Sequence, residues 1–122
     1  MESIMAKTAV AIDLVYADNE RETFRVHAIL RDGRLHSPEM YGHLREWSHD
    51  GALAIYPGIL TDETGENLLY TGEWGHGDSS QVTFRFPNHP LSIGQEVIRT
   101  DTDSGVETAY VYRVVSITSL LD

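Results

Sequence analysis

The chain has 122 residues, a length that fits one domain able to bury a core without covalent or metal cross-links. It contains no Cys, which excludes disulfides and thiolate chemistry, and its nineteen Asp and Glu against nine Lys and Arg give a net charge of -10. Such a charge disfavours binding to nucleic acid or anionic lipid and attracts basic partners.

The chain is expected to form a single globular domain over residues 1–122, with residues 1–6 as a disordered N-terminus. No internal repeat, linker or low-complexity segment argues for a second domain. No apolar run approaches the ~20 residues of a membrane helix, and residues 1–7 lack the apolar core of a secretory signal. We therefore expect a cytoplasmic protein.

The first hydrophobic pattern is a pair of alternating segments. Residues 8–16 and 24–31 each place apolar side chains at every second position, which is typical of half-buried strands. Pairing them as a hairpin with Tyr16 opposite Phe24 brings both apolar sets to one face and sets Asp13 opposite His27.

The next segment carries signals of a helix. The Ser-Pro-Glu sequence at residues 37–39 offers an N-cap side chain, Pro at the first position and an acid in the first turn. Met40, Leu44 and Trp47 then recur at helical spacing. The pattern predicts one short amphipathic helix, about residues 38–48, packed on a sheet through these three side chains.

Short apolar segments separated by turn residues follow the predicted helix. Residues 52–56 read as a strand that ends or bulges at Pro57-Gly58, and residues 68–74 and 82–86 read as two more strands. The intervening segments are rich in Gly, Asp, Glu, Ser and Asn, as connections between strands usually are.

The C-terminal third predicts a hairpin of residues 95–101 with residues 106–117. A four-residue loop at 102–105 would set Asp101 opposite Val106 and would avoid facing two carboxylates across the strands. Apolar residues on both faces of the second segment predict a central strand that is covered on two sides.

These elements predict a mainly β fold of about seven antiparallel strands with one short helix. Strands at short spacing with hairpin turns favour a small barrel or a sandwich. We prefer the barrel, with the helix as a plug or cover. A two-layer α+β arrangement is the alternative.

Signatures of catalysis are missing from the sequence. It has no nucleophile elbow, P-loop or dinucleotide fingerprint, and its His spacings do not gather ligands on one helical face. We therefore predict no catalytic residue, no metal ligand and no cofactor. The most site-like stretch is 73–78, which combines carboxylates, an indole and an imidazole on a Gly-rich loop; it can equally be a solvated connection.

Acidic side chains are concentrated in the middle of the chain. No Lys or Arg lies between Arg45 and Arg85, and hairpin geometry arranges the acids there as a band along the strand at 68–74. The residues predicted to bind a basic partner are Asp62, Glu63, Glu66, Glu73, Trp74, His76 and Asp78.

The preferred functional hypothesis is a small non-enzymatic protein that holds or blocks a protein partner with a basic surface, as an inhibitor, immunity or anti-defence protein does. No nucleic-acid or membrane partner is expected, and homo-oligomerisation is left open. One alternative is a structural subunit of a phage or other multi-subunit particle. Another is a small enzyme or ligand-binding barrel that uses the 73–78 loop.

Overall fold

Nine strands make up the regular structure of the chain in the computed structural model, which describes residues 7–74 and 81–120. In chain order they are β1 (Lys7–Tyr16), β2 (Asn19–Arg31), β3 (Arg34–Leu35), β4 (Glu39–Trp47), β5 (Leu53–Asp62), β6 (Leu69–Trp74), β7 (Gln81–Arg85), β8 (Glu96–Asp103) and β9 (Val106–Ser119). Within the described ranges no residue is helical, so no helix there could cross a membrane. The predicted disorder of residues 1–6 lies outside the described residues.

The sheet closes on itself. β1 is hydrogen-bonded to β2 on one side and to β9 on the other, and the order continues through β8, β7, β6, β5 and β4 back to β2. Eight antiparallel strands therefore form a closed barrel, and the two-residue strand β3 pairs with the end of β2. The prediction of a mainly β antiparallel small barrel is confirmed.

The helix predicted at residues 38–48 is wrong, because this segment is strand β4. Met40 and Leu44 are buried as expected, since a separation of four residues satisfies both a helical and a strand period. Trp47 distinguishes the two periods: it lies on the outer face and is 40% exposed. Ser37 is not an N-cap; its hydroxyl instead accepts a hydrogen bond from the Ile29 amide at 2.7 Å. Pairing with β2 and β5 therefore overrides the local helix signals.

The first hairpin is displaced by two residues from its predicted register. Phe24 lies opposite Leu14 and not opposite Tyr16, because a tight turn at residues 17–18 joins the strands and an irregularity precedes Tyr16. A shift of two residues leaves each side chain on its predicted face. The apolar set of this hairpin therefore still points into the barrel.

The same shift gives Asp13 a different partner. It faces Arg25 and not His27, and Nε and Nη2 of Arg25 donate to its carboxylate at 2.6 and 3.0 Å. The hydroxyl of Ser116 donates to the same carboxylate at 2.9 Å. The hydrogen bond from Arg25 is the main cause that lowers the pKa of Asp13. This cluster links β2, β1 and β9 on the outside of the barrel.

The C-terminal hairpin is also displaced by two residues. Asp103, and not Asp101, lies opposite Val106. The strands are joined by only Ser104 and Gly105, both with positive φ, 53° and 80°, as a type I′ turn requires. The rejected one-residue slip, which would have exchanged the faces of β9 relative to β8, is absent.

An extra residue explains why β9 appears apolar on both faces. Leu14 pairs with Val114 but Asp13 pairs with Ser116, so Val115 is bulged out and is 45% exposed. Beyond the bulge Ile117 turns inward and packs on the core. The prediction that β9 is covered on two sides is therefore wrong, because its outer face remains exposed.

Aromatic rings fill the centre of the barrel. Phe24 and Phe84 are stacked with ring centroids 4.9 Å apart, and Trp74 meets Phe24 edge-on at 6.0 Å. The buried core consists of Val10, Ile12, Leu14, Phe24, Val26, Ala28, Leu30, Met40, Leu44, Leu60, Tyr70, Val82, Phe84, Phe86, Val97, Tyr112 and Val114. The inside of a barrel of eight strands is just wide enough for such side chains.

Glycines make room for these rings. β5 runs without interruption through Pro57-Gly58, contrary to the predicted strand end, and Gly58 is the direct pairing partner of Gly42. A Cβ at Gly58 would lie 2.5 Å from Cε3 of Trp74, a distance that packed atoms do not tolerate. Gly58 is therefore required by the close approach of the Trp74 ring.

We expect Gly58→Ala to lower the free energy of unfolding by ~2–3 kcal/mol, because the added methyl group overfills a packed interior. Gly72→Ala is the matched control, since its Cβ would meet the mobile end of Leu60 at 3.3 Å. Its cost should stay below ~1 kcal/mol. Urea unfolding of both variants measures the difference, and equal losses would contradict this account of Gly58.

Candidate binding site at one end of the barrel

The two ends of the barrel differ in chemistry. We call the mouth the end at which β1, β4, β6 and β8 finish, and the base the opposite end. The core occupies the middle of the barrel, and charged side chains take inward positions near the mouth. A charged inward position is unusual, because desolvating a charge is costly unless it is paired.

The acids of the β5–β6 turn lie at the base. Both carboxylate oxygens of Asp62 are used locally, accepting hydrogen bonds from the amides of Thr64 at 3.3 Å and Asn67 at 3.1 Å. Glu63 and Glu66 are exposed on the same turn. Asp62 is therefore a turn-forming residue, while the other two are free to act only through their charge.

The remaining predicted site residues lie elsewhere. Glu73 is exposed on the outer face of β6 opposite Ile59, whereas Trp74 points inward and packs on Phe24. Asp62 pairs with Tyr70, three and four residues before Glu73 and Trp74, so these two lie at least ~10 Å from the turn acids. His76 and Asp78 lie outside the described residues. The five described residues of the predicted site do not converge in one place.

The structure instead brings together four side chains at the mouth that sequence reasoning missed. We call them the Arg99 cluster: Arg99, Asp101, Glu22 and Tyr112. Nε and Nη2 of Arg99 donate to the two carboxylate oxygens of Asp101 at 2.7 and 2.8 Å, and Nη1 donates to the Tyr112 oxygen at 3.2 Å. The Tyr112 hydroxyl donates in turn to Glu22, whose carboxylate is 3.8 Å from Arg99.

These groups are largely removed from water. The side chain of Arg99 is 13% exposed and that of Glu22 is 16% exposed. Burial by itself would lower the pKa of Arg99, but the hydrogen bonds to Asp101 and Tyr112 raise it above its ordinary value, so the guanidinium stays charged. Burial, assisted by the hydrogen bond to Glu22, raises the pKa of Tyr112, which keeps its proton.

The charge of the Arg99 cluster does not balance. Two carboxylates face one guanidinium, and Asp103 adds a third carboxylate two residues further along the same face of β8. A protonated tyrosine contributes hydrogen bonds but no charge. The mouth therefore presents a negative field that is only partly screened by solvent.

Aromatic rings form the wall beside these charges. The ring of Tyr16 lies 5.7 Å from that of Tyr110 and 5.5 Å from that of Tyr112, between centroids. The guanidinium carbon of Arg99 lies 5.1 Å from the centroid of Tyr110, within cation–π distance. Ring faces and carboxylates together are the surroundings in which proteins hold organic cations.

A depression of about 310 Å³ opens on this wall, between the inward faces of β8 and β9. Its size is at the lower end of small-molecule sites. It is lined by Asp101, Asp103, Val106, Thr108 and Tyr110. The raised pKa of Tyr112 keeps its hydroxyl protonated, so this group offers a hydrogen-bond donor and no phenolate.

The sequence did hold one signal for the Arg99 cluster. Val97, Arg99 and Asp101 stand at every second position of a predicted strand and therefore share one face. Two charges thus occupy positions where apolar residues were expected. Glu22 gave no signal, because it lay in a segment assigned to a connection.

Comparison of the chain with protein-family models, curated proteins and solved structures finds no match.

We expect Arg99→Met to lower the free energy of unfolding by ~3–5 kcal/mol, because it leaves two partly buried carboxylates without their cation. Arg85→Met is the control: Arg85 is an exposed arginine on the neighbouring strand β7 and should change stability by less than ~0.5 kcal/mol. Denaturant unfolding of the two variants checks this. An Arg99→Met protein as stable as the native one would show that the cluster is not held by charge pairing.

Proposed function

We propose that the protein is a non-enzymatic binding protein that receives a Lys or Arg side chain of a protein partner at the mouth of the barrel. The observation that carries the proposal is the excess of carboxylate over guanidinium in the Arg99 cluster, beside the tyrosine wall. A cation that enters this mouth completes the charge balance and finds ring faces within reach.

The charge of the whole chain supports the same partner. A net charge of -10 draws a basic protein toward the surface over a Debye length of ~8 Å at physiological ionic strength. The exposed acids Glu63 and Glu66 add to this long-range field, but they lie at the base. In this proposal they accelerate the encounter, while the mouth supplies the specific contact.

The proposed partner is the protein with a basic surface that was expected from the sequence, but the proposed binding site on this chain is a different one. The site is no longer a band along β6 but the inward faces of β8 and β9 with β1 and β2 beside them. Blocking a basic surface is the role of an inhibitor, immunity or anti-defence protein, and this is the type of role we propose, in the cytoplasm.

A second candidate is a barrel for a small organic cation, such as an amine or a guanidine. The depression of about 310 Å³ favours it, since this volume is enough for a small ligand. The protein partner remains preferred because the depression is open and lies beside exposed residues such as Asp103 and Val106, which a larger partner would cover.

Calorimetric titration with an acetylated peptide that carries four Lys residues tests the proposal, with the same peptide carrying four Gln as its control. Asp103→Asn should weaken binding of the Lys peptide about fivefold, equivalent to ~1 kcal/mol, without moving the thermal midpoint. Asp103 is exposed and its described partner is the neighbouring Ser104 hydroxyl, so the fold should not depend on its charge.

The paired variant Glu63→Gln with Glu66→Gln removes two charges at the base. It should slow association at low salt and leave the dissociation rate unchanged. Equal binding of the Lys and Gln peptides, or loss of binding from the base variant alone, would contradict the proposal. Displacement of the peptide by methylguanidinium at millimolar concentration would favour the small-cation candidate.

A further inference from the structure

Exposed apolar side chains are concentrated on one outer face of the barrel. Five of the ten exposed large hydrophobic residues in the described ranges point outward from the β4–β5 hairpin, and the other five are on other segments. We call this surface the β4–β5 face; it consists of Tyr41, Trp47, Leu53, Ile55, Pro57 and Ile59. Contiguous apolar patches of this kind mark interaction sites, whereas single exposed residues do not.

Cross-strand pairing makes this face continuous. Tyr41 lies opposite Ile59, and Trp47 lies opposite Leu53 at the other end of the hairpin. Ile55, between them on β5, is 54% exposed. Arg45 occupies the position opposite Ile55, and the guanidinium of Arg21 lies 5.4 Å from the centroid of the Trp47 ring. Apolar positions therefore run along the whole hairpin, with arginines at its margin.

Face-to-face packing is the mode of association that this fold leaves open. The edges of β4 and β5 are occupied, because β4 pairs with β2 and β5, and β5 pairs with β4 and β6. A partner therefore cannot add a strand to this hairpin and must pack on its side chains, as two sheets do at ~10 Å separation.

The size of the face matches a modest symmetric interface. β5 has ten residues and is ~33 Å long, and the four strands β2, β4, β5 and β6 span ~15 Å at their usual spacing. The product, on the order of 500 Å² per copy, is below the ~600–1,000 Å² per partner of stable interfaces, so the face fits a weak dimer.

The charges that border the face are of opposite sign on its two sides. The side formed by β2 and β4 has an excess of positive charge, whereas the outer position of β6 carries Glu73. The charged residues counted on that side are Arg21, Arg25 and Arg45 against Glu39 and the Asp13 that binds Arg25. A two-fold axis parallel to the strands sets the basic side of one copy against the acidic side of the other. An axis across the strands would instead oppose arginines to arginines, which is unfavourable.

We infer that the protein forms a symmetric homodimer through the β4–β5 face, with the two-fold axis parallel to the strands. Following the register across the hairpin, Glu73 is level with Ile59, Tyr41 and His27. In the dimer, Glu73 of each copy therefore lies against the β2 strand of the other, near His27 and Arg25. The mouth of each barrel stays open, so dimerisation is compatible with the binding function but does not depend on it.

Sedimentation equilibrium at micromolar to millimolar chain concentrations tests the dimer. The native mass should rise from that of one chain to that of two, and Ile55→Glu should weaken the dimer at least tenfold by burying a charge in the interface. Tyr41→Lys on the adjacent strand should do the same. Val115→Glu, an equally exposed position on the outer face of β9, should leave the association unchanged.

A charge exchange tests the axis. Glu73→Arg and His27→Glu should each weaken the dimer, the first by facing cations and the second by facing carboxylates, and the double variant should regain most of the loss. Far-ultraviolet circular dichroism confirms that each variant is folded. A native protein that stays monomeric up to millimolar concentration, an Ile55→Glu protein that still dimerises, or a double variant without recovery would overturn the inference.

Discussion

Closure of the sheet is the constraint on which the rest of the structure depends. β1 is hydrogen-bonded to β2 and to β9, so the first and last strands of the chain complete the same barrel. Closure leaves a narrow interior and a wide outer surface. Large rings inside must be matched by glycines on neighbouring strands, as Trp74 is by its pairing partner Gly58. On the outside, apolar residues such as Ile55 are not covered by any other described element and remain exposed.

Closure also places the charges of the mouth. Glu22 and Tyr112 are ninety residues apart in sequence, and they meet because β1 holds β2 and β9 on either side of itself. A buried ionic network adds little to stability compared with an apolar core of the same shape. Its presence at one end of an otherwise apolar barrel is the basis of the binding function that we propose.

Strands were predicted well where apolar and polar residues alternate strictly. The prediction failed where the spacing of apolar residues fits both the helical and the strand period. Met40 and Leu44 are four residues apart, so they fit a helix or a strand equally, and the Ser-Pro-Glu start tipped the prediction toward a helix. Both hairpin registers were wrong by two residues, because the tight turns at residues 17–18 and 104–105 were read as longer loops. A two-residue shift preserves the faces, which is why the apolar sets of β1 and β2 still share the inward face, as predicted.

The Arg99 cluster was not predicted from the sequence, for a different reason. Composition revealed the acidic middle of the chain, but the acids there lie at both ends of β6 and on its outer face. The Arg99 cluster depends on partners from β2, β8 and β9, and strand order cannot be read from local patterns. Arg99 and Asp101 alone could have been noticed, as two charges at inward positions of a strand.

We propose that a basic partner contacts the mouth, and not the acidic turn at the base. A two-dimensional ¹H–¹⁵N correlation spectrum of the native protein, recorded while the tetra-Lys peptide is titrated, tests this directly. We expect the largest shifts within residues 16–22 and 99–112, on β1, β2, β8 and β9 around the Arg99 cluster. Shifts confined to residues 62–67 would contradict it, as would a spectrum unchanged at a peptide excess of about a hundredfold.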